Sequence, residues 1–360
     1  MKILWLAHRD PMNPRAGGAE KIMYEVCTRL AKRGNKISIL AGGWENCKHN
    51  EILNGIHIMR FGKSVGPHLI LPFYLLRNRY DIIIADLGQA VPWVLPIIFR
   101  RKTIVAFFHL HARSLPGQVG YILAHTITAL EKLYFIIYSK PQFVTISRRS
   151  FTDLSKLGIK GDNITIIHPG VNDELFRPSN KTDHPSIVYF GGMRPYKRPE
   201  EALYLVKELS KEINNLKLTL IGDGPSRHEL EKLCKKLDLT KNVVFTGRVS
   251  DKKVSEVVAS SWLNIHSSIT EGWGISIIEA ASAGTPTVAY KVPGVSESIE
   301  NGLNGILVQN GDRNALANAA LAILKDPKKW WSSSTEVAKK YSWDRTAELW
   351  ENLISEVVKR

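Results

Sequence analysis

The stretch His266-Ser267-Ser268-Ile269-Thr270-Glu271-Gly272-Trp273-Gly274-Ile275-Ser276-Ile277-Ile278-Glu279-Ala280-Ala281-Ser282-Ala283-Gly284-Thr285-Pro286-Thr287-Val288-Ala289-Tyr290 decides the fold. It begins at the end of an apolar strand, Trp262 to His266, and crosses a polar loop. A helix follows from about Gly274 and stops at Gly284 ahead of Pro286, the usual helix-ending pair. Thr287 to Tyr290 forms a second strand. Strand, loop, helix and strand make a βαβ unit, whose loop lies at the carboxyl end of a parallel strand, where ligands collect in such sheets. Gly272 and Gly274 let a ligand approach backbone amides at a helix start, where the helix dipole favours an anion. Glu271 in the loop and Glu279 one turn inside the helix can accept hydrogen bonds from hydroxyls. The segment therefore suits a ligand with hydroxylated rings on both sides of a phosphate, such as a nucleotide-sugar. The pair alone reads equally well as a loop Glu at the surface and a Glu on an amphipathic helix.

Upstream, three more strands end in loops of the same kind. Ser186 to Phe190 runs into Gly191-Gly192-Met193-Arg194-Pro195-Tyr196-Lys197-Arg198-Pro199, then a helix from about Pro199 to Lys211. Glycines with three cations, Arg194, Lys197 and Arg198, favour a phosphate ligand; solvated cations are the alternative. Lys217 to Ile221 ends in Gly222-Asp223-Gly224-Pro225, and Asn242 to Thr246 in Gly247-Arg248-Val249-Ser250. All these loops leave one side of a parallel sheet, so Lys197, Gly222, Arg248 and Glu271 are expected to converge on one cleft.

The first half alternates in the same way. Strands are expected at Lys2 to Ala7, Lys36 to Ala41, Ile56 to Phe61, Tyr80 to Ala85, Thr103 to Phe108, Gln142 to Ile146 and Asn163 to Ile167, with a helix from Gly18 to Arg33. The pattern predicts an α/β protein of two Rossmann-like, doubly wound parallel sheets facing a central cleft. The polar run Arg177 to Pro185 is taken as the linker, giving a first domain over 1–178 and a second over 186–340. A closing helix in 341–360, with Trp343 and Trp350 near one face, is expected to pack back across the junction.

Three further features of the first half carry candidate chemistry. The loop from His8 to Glu20 brings Gly17 and Gly18 to a helix start, an anion site or a simple turn; it has neither a P-loop ending nor Gly-x-Gly-x-x-Gly. His109 follows a strand at the sheet's carboxyl edge and reads as structural or functional with equal weight. Residues 64–80 mix aliphatic and aromatic side chains with Arg77 and Arg79, and Phe99 to Lys102 and Leu133 to Lys140 repeat that character. Such segments fit contact with an anionic lipid surface, or core helices with snorkelling arginines.

Composition sets limits. The formal charge of +15 is concentrated in residues 1–178, which carry 24 Lys and Arg against 12 Asp and Glu, net +12; the remainder has 25 against 22, net +3. Nucleic acid is the weakest explanation, because the charges are scattered among apolar strands with no binding module. The start Met-Lys-Ile-Leu-Trp-Leu followed by His8-Arg9-Asp10 reads as a strand rather than a secretory signal, and no apolar run is long enough to span a bilayer. Cys27, Cys47 and Cys234 have no metal-ligand spacing. A cytoplasmic protein is expected, with peripheral contact on the cytoplasmic membrane face open.

Taken together, these residues resemble the retaining family 4 enzymes among the nucleotide-sugar glycosyltransferases of the GT-B fold. The marks are Gly17-Gly18-Ala19-Glu20, His109, His168-Pro169-Gly170-Val171-Asn172, Lys197, Gly222-Asp223-Gly224-Pro225 and Gly247-Arg248-Val249. The strongest is the Glu-x7-Glu element from Glu271-Gly272-Trp273-Gly274 to Glu279. The resemblance implies that Glu271 holds donor-sugar hydroxyls, Glu279 the ribose, Lys197 the pyrophosphate and Arg248-Val249 the base. It also implies that Gly17-Gly18 face the donor phosphates and that His109 sits near the reacting sugar. It implies no metal and no cofactor beyond the nucleotide-sugar co-substrate, with a glycan or lipid-linked hydroxyl as acceptor. The family pattern has an arginine where this chain has Gly192, and Arg194 or Arg198 is the candidate replacement. Alternatives are a GT-B epimerase or glycan synthase, or a non-catalytic nucleotide-sugar-binding protein.

Overall fold

A computed structural model describes residues 1–63, 65–87, 93, 102–108, 138 and 141–360. The chain forms two compact units, Met1–Pro169 with Trp343–Arg360, and Gly170–Ser342.

In the first unit the strands are β1 (Lys2–Leu6), β2 (Lys36–Ala41), β3 (Asn50–Leu53), β4 (Ile56–Arg60), β5 (Ile82–Asp86), β6 (Thr103–Ala106), β7 (Gln142–Thr145) and β8 (Ile164–Ile166). They form one eight-stranded sheet in the order β3-β4-β2-β1-β5-β6-β7-β8. Every residue of β5, β6 and β7 is buried, as befits parallel strands covered on both faces. The described helices are α1 (Gly18–Lys32), α2 (Gly66–Arg77) and α3 (Arg148–Lys156). One strand departs from expectation. β3 is antiparallel to β4, so the sheet is parallel except at this edge. Its four residues alternate between exposed and half-buried, too short a run for periodicity to reveal.

The second unit contains β9 (Ser186–Phe190), β10 (Lys217–Ile221), β11 (Val243–Gly247), β12 (Leu263–His266), β13 (Thr287–Tyr290) and β14 (Gly305–Val308), ordered β11-β10-β9-β12-β13-β14 with every pairing parallel. Its helices are α4 (Glu200–Leu209), α5 (Arg227–Lys236), α6 (Asp251–Ser260), α7 (Ile275–Ser282), α8 (Val295–Ser298), α9 (Arg313–Lys325) and α10 (Lys328–Ala338). Buried Leu, Ile and Val from β9, β10, β12 and α4 meet Leu316, Ala320 and Ile323 of α9 in one core.

The division between units falls after Pro169, upstream of the polar run expected to be a linker. That run is fastened to the second unit through Phe176 just ahead of it and through Lys181 and Thr182 within it. Phe176 is buried and its carbonyl accepts from Ser282 Oγ at 2.6 Å. Lys181 Nζ donates to the Ser261 carbonyl at 2.9 Å and to Thr285 Oγ1 at 2.7 Å, and the Trp262 indole donates to the Thr182 carbonyl. Polar composition here satisfies backbone groups at the sheet's amino edge instead of marking a free hinge. The chain enters and leaves the unit side by side, since the Val171 N–H donates to the Tyr341 carbonyl. The closing helix α11 (Trp343–Lys359) belongs to the first unit. There Trp350 lies against Trp5 with ring centroids 5.2 Å apart, and Arg29 of α1 and Arg33 just after it pair with Asp344 and Glu351.

Helix α2 has an unusual outer face. Pro67 and Leu71 point into the core and His68 stacks on Trp93 at 3.9 Å, yet Leu69, Phe73 and Leu76 are 74%, 62% and 81% exposed. Phe99 to Arg101 and all of Leu133 to Lys140 except Tyr138 lie outside the described residues. Among the described residues no helix is long and apolar enough to cross a membrane.

Candidate active site

Strand order in the second unit fixes which loops are neighbours. From β11 through β10, β9 and β12 to β13, the carboxyl ends deliver in turn the loops at 248–250, 222–226, 191–198, 267–274 and 291–294. Two close backbone approaches lock this row. A Cβ at Gly222, where φ is +125°, would stand 2.0 Å from the Gly191 carbonyl oxygen; one at Gly294, where φ is +89°, would stand 2.1 Å from that of Glu271. Only glycine fits either place. The Met193 N–H donates to the Asp223 carbonyl at 2.9 Å, and the Ser226 N–H to that of Met193 at 3.0 Å, so the loops after β9 and β10 form a single backbone layer.

Within this row Lys197 and Glu271 meet. Lys197 ends the turn Pro195–Lys197 after β9, and its Nζ donates to Glu271 Oε1 at 2.7 Å. The side chains are 21% and 16% exposed, shielded enough for the charges to interact strongly. Ser268 Oγ donates to the same oxygen at 2.9 Å, and His266 Nε2 lies 3.6 Å from it. Burial works against the charge on Glu271, but the Lys197 ammonium, helped by His266 and the Ser268 hydroxyl, outweighs it and holds the carboxyl at about 2. Burial likewise opposes the charge on Lys197, and Glu271 overcomes it, leaving the amine above its ordinary value. For His266 burial prevails and pushes the imidazole down to about 4, so it is neutral at pH 7.

The two loops are clamped together by backbone contacts that sequence reading did not single out. Ser267 Oγ bonds the carbonyls of Lys197 and Arg198 at 2.9 and 2.7 Å, and the Ile269 N–H donates to the Tyr196 carbonyl at 2.8 Å. Arg198 adopts a left-handed backbone conformation, and its guanidinium donates to the Ser267 carbonyl and to Asn310 while lying over the Tyr290 ring. Position 198 is thus a structural bracket. Arg194 differs: it is exposed, and its side chain folds back so that Nε is 3.7 Å from where a Cβ of Gly192 would stand.

The remaining expected residues fall as follows. Gly224 lies in the layer with Met193, and Arg248 is exposed with Val249 half-buried at the row's far end. Gly272 and Gly274 flank Trp273, whose indole is 2% exposed and packs edge-on to Tyr341 at 5.4 Å. As a ligand contact Trp273 therefore offers backbone, not its ring. Glu279 is one turn inside α7 and buried. Gly17 and Gly18 are in the other unit, at the start of α1, where Glu20 accepts the Gly17 N–H at 2.8 Å and pairs with Arg9. In the same loop Asp10 is fully buried in a two-pronged pair with Arg60, so its polar residues largely hold one another. His109 lies outside the described residues. No group of three or more His, Cys, Asp or Glu among the described residues is placed to hold a metal ion.

Two α/β units built on largely parallel sheets are an architecture shared by known sugar-transferring enzymes. The model of Glycosyltransferase Family 4 matches residues 16–175 and that of Glycosyl transferases group 1 matches residues 171–341; the chain belongs to this glycosyltransferase family and is an enzyme of that class. It is 25% identical to an uncharacterized glycosyltransferase of Methanocaldococcus jannaschii, over 96% of both chains. It is 24% identical to a phosphatidylinositol N-acetylglucosaminyltransferase component of Arabidopsis thaliana, over 96% of this chain and 80% of the relative. Among solved structures, sucrose-phosphate synthase from Thermosynechococcus elongatus aligns with a TM-score of 0.86 at 21% identity, covering 99% of this chain and 98% of that one. Anabaena HepE in complex with UDP-glucose aligns at 0.79 and 19% identity, covering 99% and 100%. The fold is that of the GT-B glycosyltransferases.

Proposed function

We propose that the protein is a retaining glycosyltransferase that moves a hexose-type sugar from a nucleotide-sugar to a hydroxyl of a glycan or lipid-linked acceptor. The observation that carries this reading is the Lys197–Glu271 pair, held by two adjacent loops within a row of strand ends. From Arg248 after β11 to Glu271 after β12 the row crosses three inter-strand steps, about 14 Å. That length accommodates a nucleoside diphosphate with a sugar at its far end. On this reading Arg248 and Val249 border the base and Glu279 meets the ribose. The amides at Gly222, Gly224, Gly272 and Gly274 approach the phosphates, and Glu271 accepts from sugar hydroxyls.

Breaking the sugar–phosphate bond builds negative charge on the departing phosphate. Fixed cations there stabilise the transition state more than the ground state. Lys197 supplies one such charge and Arg194, over Gly192, a second, so the scheme is metal-independent. The departing phosphate then helps to deprotonate the acceptor hydroxyl on the same face of the sugar, which preserves the anomeric configuration. The relatives' names support a donor and acceptor of these kinds.

The test is a thermal-shift series of UDP-, GDP- and ADP-sugars, followed by NMR of the product's anomeric proton. A ligand that binds the folded form raises the melting temperature by mass action. One series should do so, and the product should keep the donor's anomeric configuration. An inverted product would remove the retaining assignment, and no shift with any series would remove the donor site.

A further inference from the structure

We infer that the outer face of α2 is a docking surface for an anionic lipid bilayer. A helix laid on a sheet normally turns its apolar stripe inward and a polar face to water. In α2 the inner side is already filled by Pro67, Leu71 and the His68–Trp93 stack, and the outer side is apolar as well. Val65, Leu69, Phe73 and Leu76 recur at spacings of four, four and three, one stripe along the helix, and all are exposed. With Phe61 they account for five of the twelve exposed large apolar side chains among the described residues, gathered in sixteen consecutive positions. Such concentration marks an interaction surface rather than ordinary surface scatter.

Charge selects the partner. Residues 61–80 contain Lys63, Arg77 and Arg79 and no Asp or Glu, and all three cations are exposed. The unit that carries them has most of the chain's net positive charge. An apolar stripe about 18 Å long with cations beyond both ends and no carboxylate matches a headgroup layer, where the stripe enters the acyl boundary and the cations meet phosphates. A protein partner would equally bury the stripe, but nothing about the stripe requires a partner surface so uniformly acidic. The inference stands on α2 alone and is independent of the donor site in the second unit.

The full-length protein is to be sedimented with vesicles of phosphatidylcholine alone and with vesicles containing phosphatidylglycerol. Binding to the anionic vesicles is expected, weakening as salt is raised. The triple variant L69S/F73S/L76S should bind at least tenfold more weakly. Removing each arginine, as R77Q and R79Q, should weaken binding about five-fold. Because these side chains are exposed, the variants' melting curves should match the wild type. Anionic-vesicle binding unchanged in the triple variant, or absent in the wild type, overturns the inference. So does a wild-type dimer in light scattering, without vesicles, that the triple variant dissociates.

Discussion

Lys197 and Glu271 join two loops through one ion pair, and in the proposed scheme the same contact would serve the reaction. Each charge opposes the other's burial penalty, so neither loop can lose its residue without leaving a shielded charge behind. The pH consequence follows. Glu271 has a folded-state value near 2 against an ordinary 4.5, so the unfolded chain binds more protons between those values. The stability contributed by Glu271 is present above about pH 4.5 and lost as pH falls towards 2. In acid unfolding, Glu271→Gln should flatten the stability slope in that window by up to one proton. An unchanged slope would mean that the carboxylate is not held by Lys197. The arginine absent at Gly192 is a question of the same scale: Arg198 is committed to Ser267, Asn310 and Tyr290, whereas Arg194 is exposed over Gly192. Arg194→Ala should lower kcat by roughly ten- to a hundredfold, measured at saturating donor, with no loss of thermal stability.

Among the elements, loops matter more than helices. Ser267 ties the Lys197 turn to the Glu271 loop, and Ser267→Ala should cost about 1–2 kcal/mol of stability in denaturant titration. Gly294→Ala places a Cβ against the Glu271 carbonyl. It should destabilise by about 1–3 kcal/mol and weaken donor binding, whereas the same change at Gly302, which has nothing within 4 Å, brings only the strain of its φ. Most elements were legible in the sequence because parallel strands buried on both faces read as short apolar runs ended by glycine. β9, β10 and β13 match their expected bounds residue for residue. β3 escaped because Asn50-Glu51-Ile52-Leu53 does not alternate polar and apolar residues, although Asn54-Gly55, the two-residue hairpin signature, announces the turn into β4. The Ser267 and Ser268 contacts were hidden for a different reason: a serine's partner depends on which loop the fold brings beside it. Trp273, read as part of a ligand motif, proves to be core, since an indole two residues from Glu271 has the Tyr341 ring to pack on.

For the whole molecule, the chain's path is the feature that composition could not disclose. Polar residues 177–185 resemble a hinge, yet Lys181 and Thr182 among them fasten to the second unit, and the boundary lies where Pro169 passes into Gly170. The first unit is finished only by the C-terminal helix α11, whose Trp350 is 1% exposed against Trp5. Trp350→Ala should cost about 3–5 kcal/mol, seen as a lower melting temperature for the first unit. Equal melting of variant and wild type would deny α11 that role. In the second unit, the proposed role of Lys197 at the departing phosphate is measured by the turnover of Lys197→Ala with its nucleotide-sugar and acceptor. Loss of one contact to the developing phosphate charge predicts a fall in kcat of roughly 10²- to 10³-fold with the far-ultraviolet dichroism unchanged; turnover equal to wild type in a folded variant would contradict it.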